Sequence, residues 1–264
     1  MEPSELLDQC PLGTYDGPCF RAIYTSFPSR NLYSDIGFRE GDPDFEIAMH
    51  LADSDASIDF SQPQQLRPFQ YSDLDNFLRT YTSEVIPREN LLFPLINMQK
   101  GRFSDGTFGV FYAAAEEATS LAEVAFHFIE DCQYEIKMSP QIFRSWDIDK
   151  RIIQIEIVES GIYDFRPFAG QVPELTADAL EYCQALGILL KKRKIPLALT
   201  PSARVERGTC IPIFSESAIP KGQVRTIHYY HFKFDRATGL KVKKSDVHQT
   251  DWTIPADWKL PLNE

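Results

Sequence analysis

The rhythm of hydrophobic positions changes several times along the chain, and each change marks an element. Pro18-Cys-Phe-Arg21-Ala-Ile-Tyr24 is apolar apart from one arginine and reads as a strand, closed by Pro28. Tyr71, Leu74, Phe77, Leu78 and Tyr81 recur at helical spacing, which predicts a helix over 72–83. Residues 108–114 are dense in aromatic and small side chains and predict a buried strand. The next segment places Ala118, Leu121, Ala122, Ala125 and Ile129 on one stripe, the signature of an amphipathic helix. Gln133–Met138 and Ile152–Val158 read as strands; in the second, isoleucines alternate with Gln154 and Glu156.

Further on, Ala179, Tyr182, Cys183, Leu186 and Leu190 predict a helix that stops at Lys191-Lys-Arg-Lys194 and Pro196. Ile195–Thr200 is a short apolar strand leading into Pro201-Ser202. Thr226–Asp235 alternates over its whole length, with Tyr230, Phe232 and Phe234 on one side. From about residue 237 the chain turns polar and Lys-rich, and reads as a tail docked by Trp252 and Trp258. Strands and helices mix without a βαβ rhythm, so the expected class is α+β. No Gly-x-Gly-x-x-Gly or Walker-type loop occurs, which argues against a Rossmann or P-loop nucleotide site.

Composition narrows the function. At 264 residues and 43% hydrophobic, the chain can bury a sizeable core. A formal charge of −11 argues against general nucleic-acid binding, which needs a positive surface. The one compact basic run, 191–194, suits a helix C-terminus complementing its dipole. Apolar runs are too short to cross a membrane, and the acidic Met-Glu-Pro-Ser-Glu start lacks the order of a secretory signal. The expectation is a cytoplasmic protein. Cys10, Cys19, Cys132, Cys183 and Cys210 are scattered and odd in number, with no Cys-x-x-Cys pair. They predict reduced thiols and no metal site.

Six residues could carry chemistry, each with a plainer reading beside it. Arg21 is either a strand-edge arginine with its head in water or a fork for a phosphate. Arg102, in Gly101-Arg102-Phe103, is turn-flanking charge or a second phosphate contact. Tyr112 is a core tyrosine, or a face for a flat ring with small alanines leaving room beside it. Glu123 closes a Ser120-x-x-Glu capping box, or lies inside a helix that starts at Glu116-Glu117. In the second case it is a carboxylate bordering a buried stripe and needs a partner. His127 shares its face at i,i+4 and reads as a packed or surface histidine before a proton shuttle. Ser202 follows a proline, as turn and cap serines do, or offers its hydroxyl to a phosphate or ribose.

The order of these residues says more than any one of them. Phe20-Arg21, then Gly-Arg-Phe, a strand ending Phe-Tyr-Ala-Ala, Ala122-Glu123-Val124 and finally Pro201-Ser202-Ala203 resembles the RES family, named for an Arg, a Glu and a Ser. The resemblance implies an ADP-ribosyltransferase-like α+β fold with a split β core around an NAD cleft. It implies NAD as substrate, no metal, and a toxin of a bacterial toxin–antitoxin pair, with an antitoxin as partner. Members hydrolyse or phosphorolyse NAD, or transfer ADP-ribose to a protein acceptor; a binding module without catalysis on the same fold stays open. Carried over residue by residue, Arg21 and Arg102 would hold the phosphate side, Tyr112 the nicotinamide side, Glu123 the reacting ribose and Ser202 the cleft wall. Tyr24 would match a further family tyrosine. The chain is then one domain, 1–264, with a core at about 18–26 and 98–235. An insertion fills about 27–97, and a C-terminal extension covers about 236–264. After Pro-Ser-Ala the family's Asn-rich stretch is replaced by Gly208-Thr-Cys-Ile-Pro-Ile-Phe-Ser-Glu.

Overall fold

A single twenty-residue strand organises the fold. The computed structural model describes residues 1–24, 85–86, 88–96, 98–141, 143–222, 224–244, 250–252 and 260. Within them, strand β6 (Ser145–Asp164) runs through the centre and pairs on both sides. Along one side it takes β1 (Leu12–Tyr24) antiparallel, from Leu12↔Tyr163 to Tyr24↔Lys150. Along the other it takes β9 (Val224–Asp235), and at its C-terminal end it also pairs with β7 (Ala198–Pro201), here in parallel.

Strand β1 meets β5 (Phe111–Ala114) as well, through Phe20↔Ala114. β5 pairs with β8 (Thr209–Ile213), and β8 with β7. Five strands therefore close into a ring: β1, β5, β8, β7, β6. The sheet continues outward from β6 through β9, β10 (Gly239–Lys244) and β11 (Thr250–Trp252), while β2 (Val85–Ile86) adds to β9, making nine strands. The ring interior is filled by alternate residues of its strands: Cys19, Phe111, Ile153, Ile155, Ile157, Leu199, Ile211 and Ile213.

Helices cover this sheet from outside, and the α+β expectation holds. Helix α1 (Pro3–Gln9) buries Leu6 and Leu7, and α2 (Arg88–Ile96) buries Leu91. Helix α3 (Glu117–Met138) lays Leu121, Ala122, Ala125, Phe128, Ile129 and Cys132 against Ile152 of β6 and Tyr230, Phe232 and Phe234 of β9. Helix α4 (Glu181–Lys192) packs Cys183, Leu186 and Leu190 among Phe103, Phe108 and Phe165. It comes close because residue 187 is glycine: a β-carbon there would collide with the backbone of Phe103. That contact fixes the short hairpin of β3 (Lys100–Gly101) and β4 (Ser104–Asp105).

Several sequence expectations change here. Gln133–Met138 is not a strand but the last turns of α3. Tyr134, Ile136 and Met138 do alternate, but the segment continues an established helix, with Tyr134 and Met138 exposed. The strand read over 108–114 is confined to 111–114, and the strand read as 18–24 starts at Leu12. The tail after 237 adds β10 and β11 to the sheet, Trp252 pairing through its backbone with Val242. Trp258 and the helix read over 72–83 lie outside the described residues. Residues 85–96, read as part of the insertion, contribute Ile86 and Leu91 to the ring's core.

Candidate active site

Where β1 leaves β5 near Phe20, a cleft of about 650 Å³ opens between the ring, the N-terminal half of α3 and the β3–β4 hairpin. Its size is ordinary for a site that takes a small molecule or cofactor. Arg21, Arg102, Tyr112 and Glu123 all line it. Four residues spread over about a hundred positions thus share one cavity.

Glu123 sits two turns into α3, so the capping-box reading does not apply. The helix starts at Glu117 and Ser120 lies inside it; the Ser120 hydroxyl instead accepts the backbone N–H of Ala22. The Glu123 Oε1 accepts two bonds, from Ser202 Oγ at 3.0 Å and from Cys210 Sγ at 3.4 Å. Among the described residues Oε2 has no partner, so one oxygen is anchored and the other is left to the cleft. Burial, then the adjacent Glu123 charge, pushes the Cys210 thiol well above its ordinary range, so it stays a donor.

Ser202 is 6% exposed and is not itself a lining residue; its neighbours Pro201, Ala203 and Arg204 are. Its hydroxyl accepts from the backbone N–H of Arg204 at 3.0 Å and of Val205 at 3.1 Å, and donates to Glu123. The structure therefore places Ser202 behind the carboxylate, where it orients Glu123, instead of on the cleft wall.

Arg21 points along the inner face of the ring to its open end. Its guanidinium lies over the Phe111 ring at 4.4 Å and Nη1 donates to the Tyr112 carbonyl at 2.7 Å. Desolvation lowers its pKa to about 10, opposed by Cys19 and Tyr112 nearby. The reading of a strand-edge arginine with its head in water does not hold. Arg102 donates through Nη1 to the Ala177 carbonyl at 2.7 Å, which ties the loop before α4 to the hairpin.

The Tyr112 hydroxyl accepts the Phe103 backbone N–H at 2.9 Å, and burial raises its pKa to about 12. Gly101 makes this contact possible: a β-carbon there would stand 2.7 Å from the Tyr112 oxygen. Tyr24 ends β1, with its backbone opposite Lys150 of β6. His127 borders the cleft but keeps 68% of its side chain exposed and pairs with Glu130 at 3.1 Å, as a surface histidine would.

Sequence reasoning missed three lining residues. Cys210 was seen only as one of five thiols. Arg204 stacks over Phe126 with its Cζ 3.2 Å from the ring centroid and bonds Asp178 at 2.7 Å; the position next to Ser202 was the available signal. Lys150 is 7% exposed, although it stands in an Asp-Lys-Arg run that looks solvated. Among the described residues no group of three His, Cys, Asp or Glu could hold a metal ion, and no helix is long and apolar enough to cross a membrane.

The model of the RES domain family matches residues 88–235, more than half of the chain. The chain belongs to the RES domain family. The match includes Arg102, Tyr112, Glu123 and Ser202, while Arg21 lies N-terminal to it and is brought to the same cleft by the β1–β5 and β1–β6 pairings. No curated protein matches this RES domain chain. Among solved structures it is similar to a chain in the M. tuberculosis MbcT–MbcA toxin–antitoxin complex. Identity is 12%, the likeness covers 86% of this chain and 89% of that one, and the TM-score is 0.44.

Proposed function

We propose that this RES domain protein consumes NAD by cleaving the bond between nicotinamide and ribose. The observation that supports it most is the Glu123 carboxylate, tethered at one oxygen by Ser202 and Cys210 and sharing a cleft with two arginines and Tyr112. When the C1′–N bond breaks, its electron pair goes to the pyridinium nitrogen and neutralises it, and positive charge moves onto the ribose. A fixed carboxylate beside the ribose stabilises that charge while Oε2 accepts a ribose hydroxyl, the strategy of preorganised electrostatics. Tyr112 offers its face to the departing ring. Arg21 and Arg102 carry nitrogens suited to the diphosphate. Water or phosphate then attacks C1′ and loses a proton, giving ADP-ribose or its 1″-phosphate.

We take the chain as one domain, a cytoplasmic toxin held in check by an antitoxin, with the insertion and the extension as its variable parts. Transfer of ADP-ribose to a protein is the alternative outcome. Chromatography of purified protein incubated with NAD, with and without phosphate, tests the proposal. Release of free nicotinamide supports cleavage, and the co-product names the acceptor. No release under either condition removes free NAD cleavage and leaves a protein acceptor or a binding role.

A further inference from the structure

Two cleft arginines on different elements reach for the same short connector. Arg102, in the turn of the β3–β4 hairpin, donates through Nη1 to the Ala177 carbonyl at 2.7 Å. Arg204, in the turn after β7, donates through Nη1 to Asp178 Oδ1, also at 2.7 Å. Both arginines and Asp178 line the cleft. Residues 176–180 carry no helix or strand between the 3₁₀ turn of Pro173–Leu175 and α4. Ala177 and Asp178 are sequence neighbours, so their oxygens bridge the two guanidinium groups much as the oxygens of a phosphate ligand would.

The Arg204–Asp178 pair is unequal. The arginine is 8% exposed, its Cζ lies 3.2 Å from the Phe126 ring centroid, and its Nε is buried with no hydrogen-bond partner among the described residues. Its carboxylate partner keeps 80% of its side chain in water. An ion pair with so exposed an anion contributes little, whereas a buried donor without a partner is uncommon. Phe126 supports the guanidinium with or without Asp178. The arginine is fixed and its counter-ion is exchangeable. The backbone N–H of Arg204 also holds Ser202 Oγ, which places this cation next to the turn that tethers Glu123.

We propose that Arg204 joins Arg102 in clamping the diphosphate of a dinucleotide-class ligand, and that Asp178 is the clamp's internal competitor, displaced when the ligand binds. The inference rests on the NAD reading and adds Arg204 and Asp178 to it. Binding exchanges one carboxylate for a diphosphate, which carries charge on both phosphorus centres and can meet both arginines. Asp178 moves into water, where most of its side chain already is. Apparent affinity is what remains after that exchange, so removing the Asp178 charge raises it.

ADP-ribose, titrated into the full chain by calorimetry, keeps the diphosphate and has no nicotinamide bond to break. Asp178→Asn should bind it about five-fold or more tighter than wild type. Arg204→Met, whose side chain can still pack on Phe126, should bind it about ten-fold or more weaker. In the double variant the gain from Asp178→Asn should vanish, because the arginine it frees is gone. Adenosine, which has no phosphate, should respond to neither change. An Asp178→Asn protein that binds ADP-ribose no tighter than wild type overturns the competitor, and this arm changes only an exposed side chain. A gain that persists in the double variant, or that appears equally with adenosine, overturns it too. Arg204→Met binding like wild type overturns the clamp, as does the absence of ADP-ribose binding in both wild type and Asp178→Asn. Nicotinamide release from NAD, followed on the same wild-type preparation, separates the two ideas. Release with an ADP-ribose affinity indifferent to both substitutions removes the clamp and leaves the NAD reading. The expected binding pattern without release does the reverse.

Discussion

Ser202 gives its hydroxyl proton to Glu123 across 79 positions of sequence, at 3.0 Å, while its oxygen takes two backbone N–H groups. The serine fixes a carboxylate and is itself fixed by the turn that bears it. Ser202→Ala removes the tether and leaves both backbone donors without this acceptor. A hydrogen bond to a charged group contributes about 1.5–3 kcal/mol, so turnover should fall roughly ten- to a hundred-fold. Because the serine is not on the cleft wall, KM should move much less. A variant with intact kcat would remove the positioning role.

Gly101→Ala tests the other side of the cleft. The new methyl would stand 2.7 Å from the Tyr112 oxygen, so the tyrosine must shift and its bond to the Phe103 N–H must lengthen or break. Overpacking of this kind costs about 1–3 kcal/mol. Thermal unfolding should show a lowered Tm, and the KM for NAD should rise. An unchanged Tm together with an unchanged KM would mean that Tyr112 is not held as described.

The folded protein's dependence on pH carries the signature of Lys150. Its pKa is 10.5 in the ordinary state and about 7 when folded, through burial first. Between those values the unfolded chain holds a proton that the folded chain has released, so stability rises with pH across that window. Below about pH 7 both states are charged and the full penalty remains. Lys150→Met lifts the penalty, so its gain over wild type should be largest near pH 6 and shrink towards pH 10. Urea midpoints at pH 6 and pH 9 check this; a gain that grows with pH would contradict the buried cation.

His127→Ala serves as the contrast. The ring is largely exposed, its partner Glu130 is exposed too, and such surface pairs are worth about 0–1 kcal/mol. Nicotinamide release should stay within about two-fold of wild type and Tm should barely move. A loss comparable with that of the serine variant would restore the proton-shuttle reading.

How far the sequence revealed these features varied with the reach of the interaction. The stripe of α3 and the alternation of β9 repeat over many residues, and both elements stand where their periods predict. Six residues with apolar positions 134, 136 and 138 fit a strand equally well, and only continuity with the preceding turns made them helical. The ring closure was not legible, because it depends on β1 pairing with two strands distant in sequence. Arg21, Arg102, Tyr112 and Glu123 were found by their order, not by any local property. Lys150 has no such signal: it is 7% exposed in the fold, yet in sequence it is one more charge in Asp-Lys-Arg. That Ser202 serves Glu123 from behind could be seen only once both backbones were in place.

Catalysis here depends on the charge of the Glu123 carboxylate, which Glu123→Gln removes. The amide keeps the shape and can still accept from Ser202 and Cys210, but it loses the charge. Nicotinamide release at saturating NAD and NAD affinity should be measured on the same preparations. The kcat should fall by about a hundred-fold or more, the scale of losing one preorganised charge contact, with affinity within a few-fold of wild type. A variant that turns over like wild type, or one that loses NAD binding in step with turnover, would contradict it.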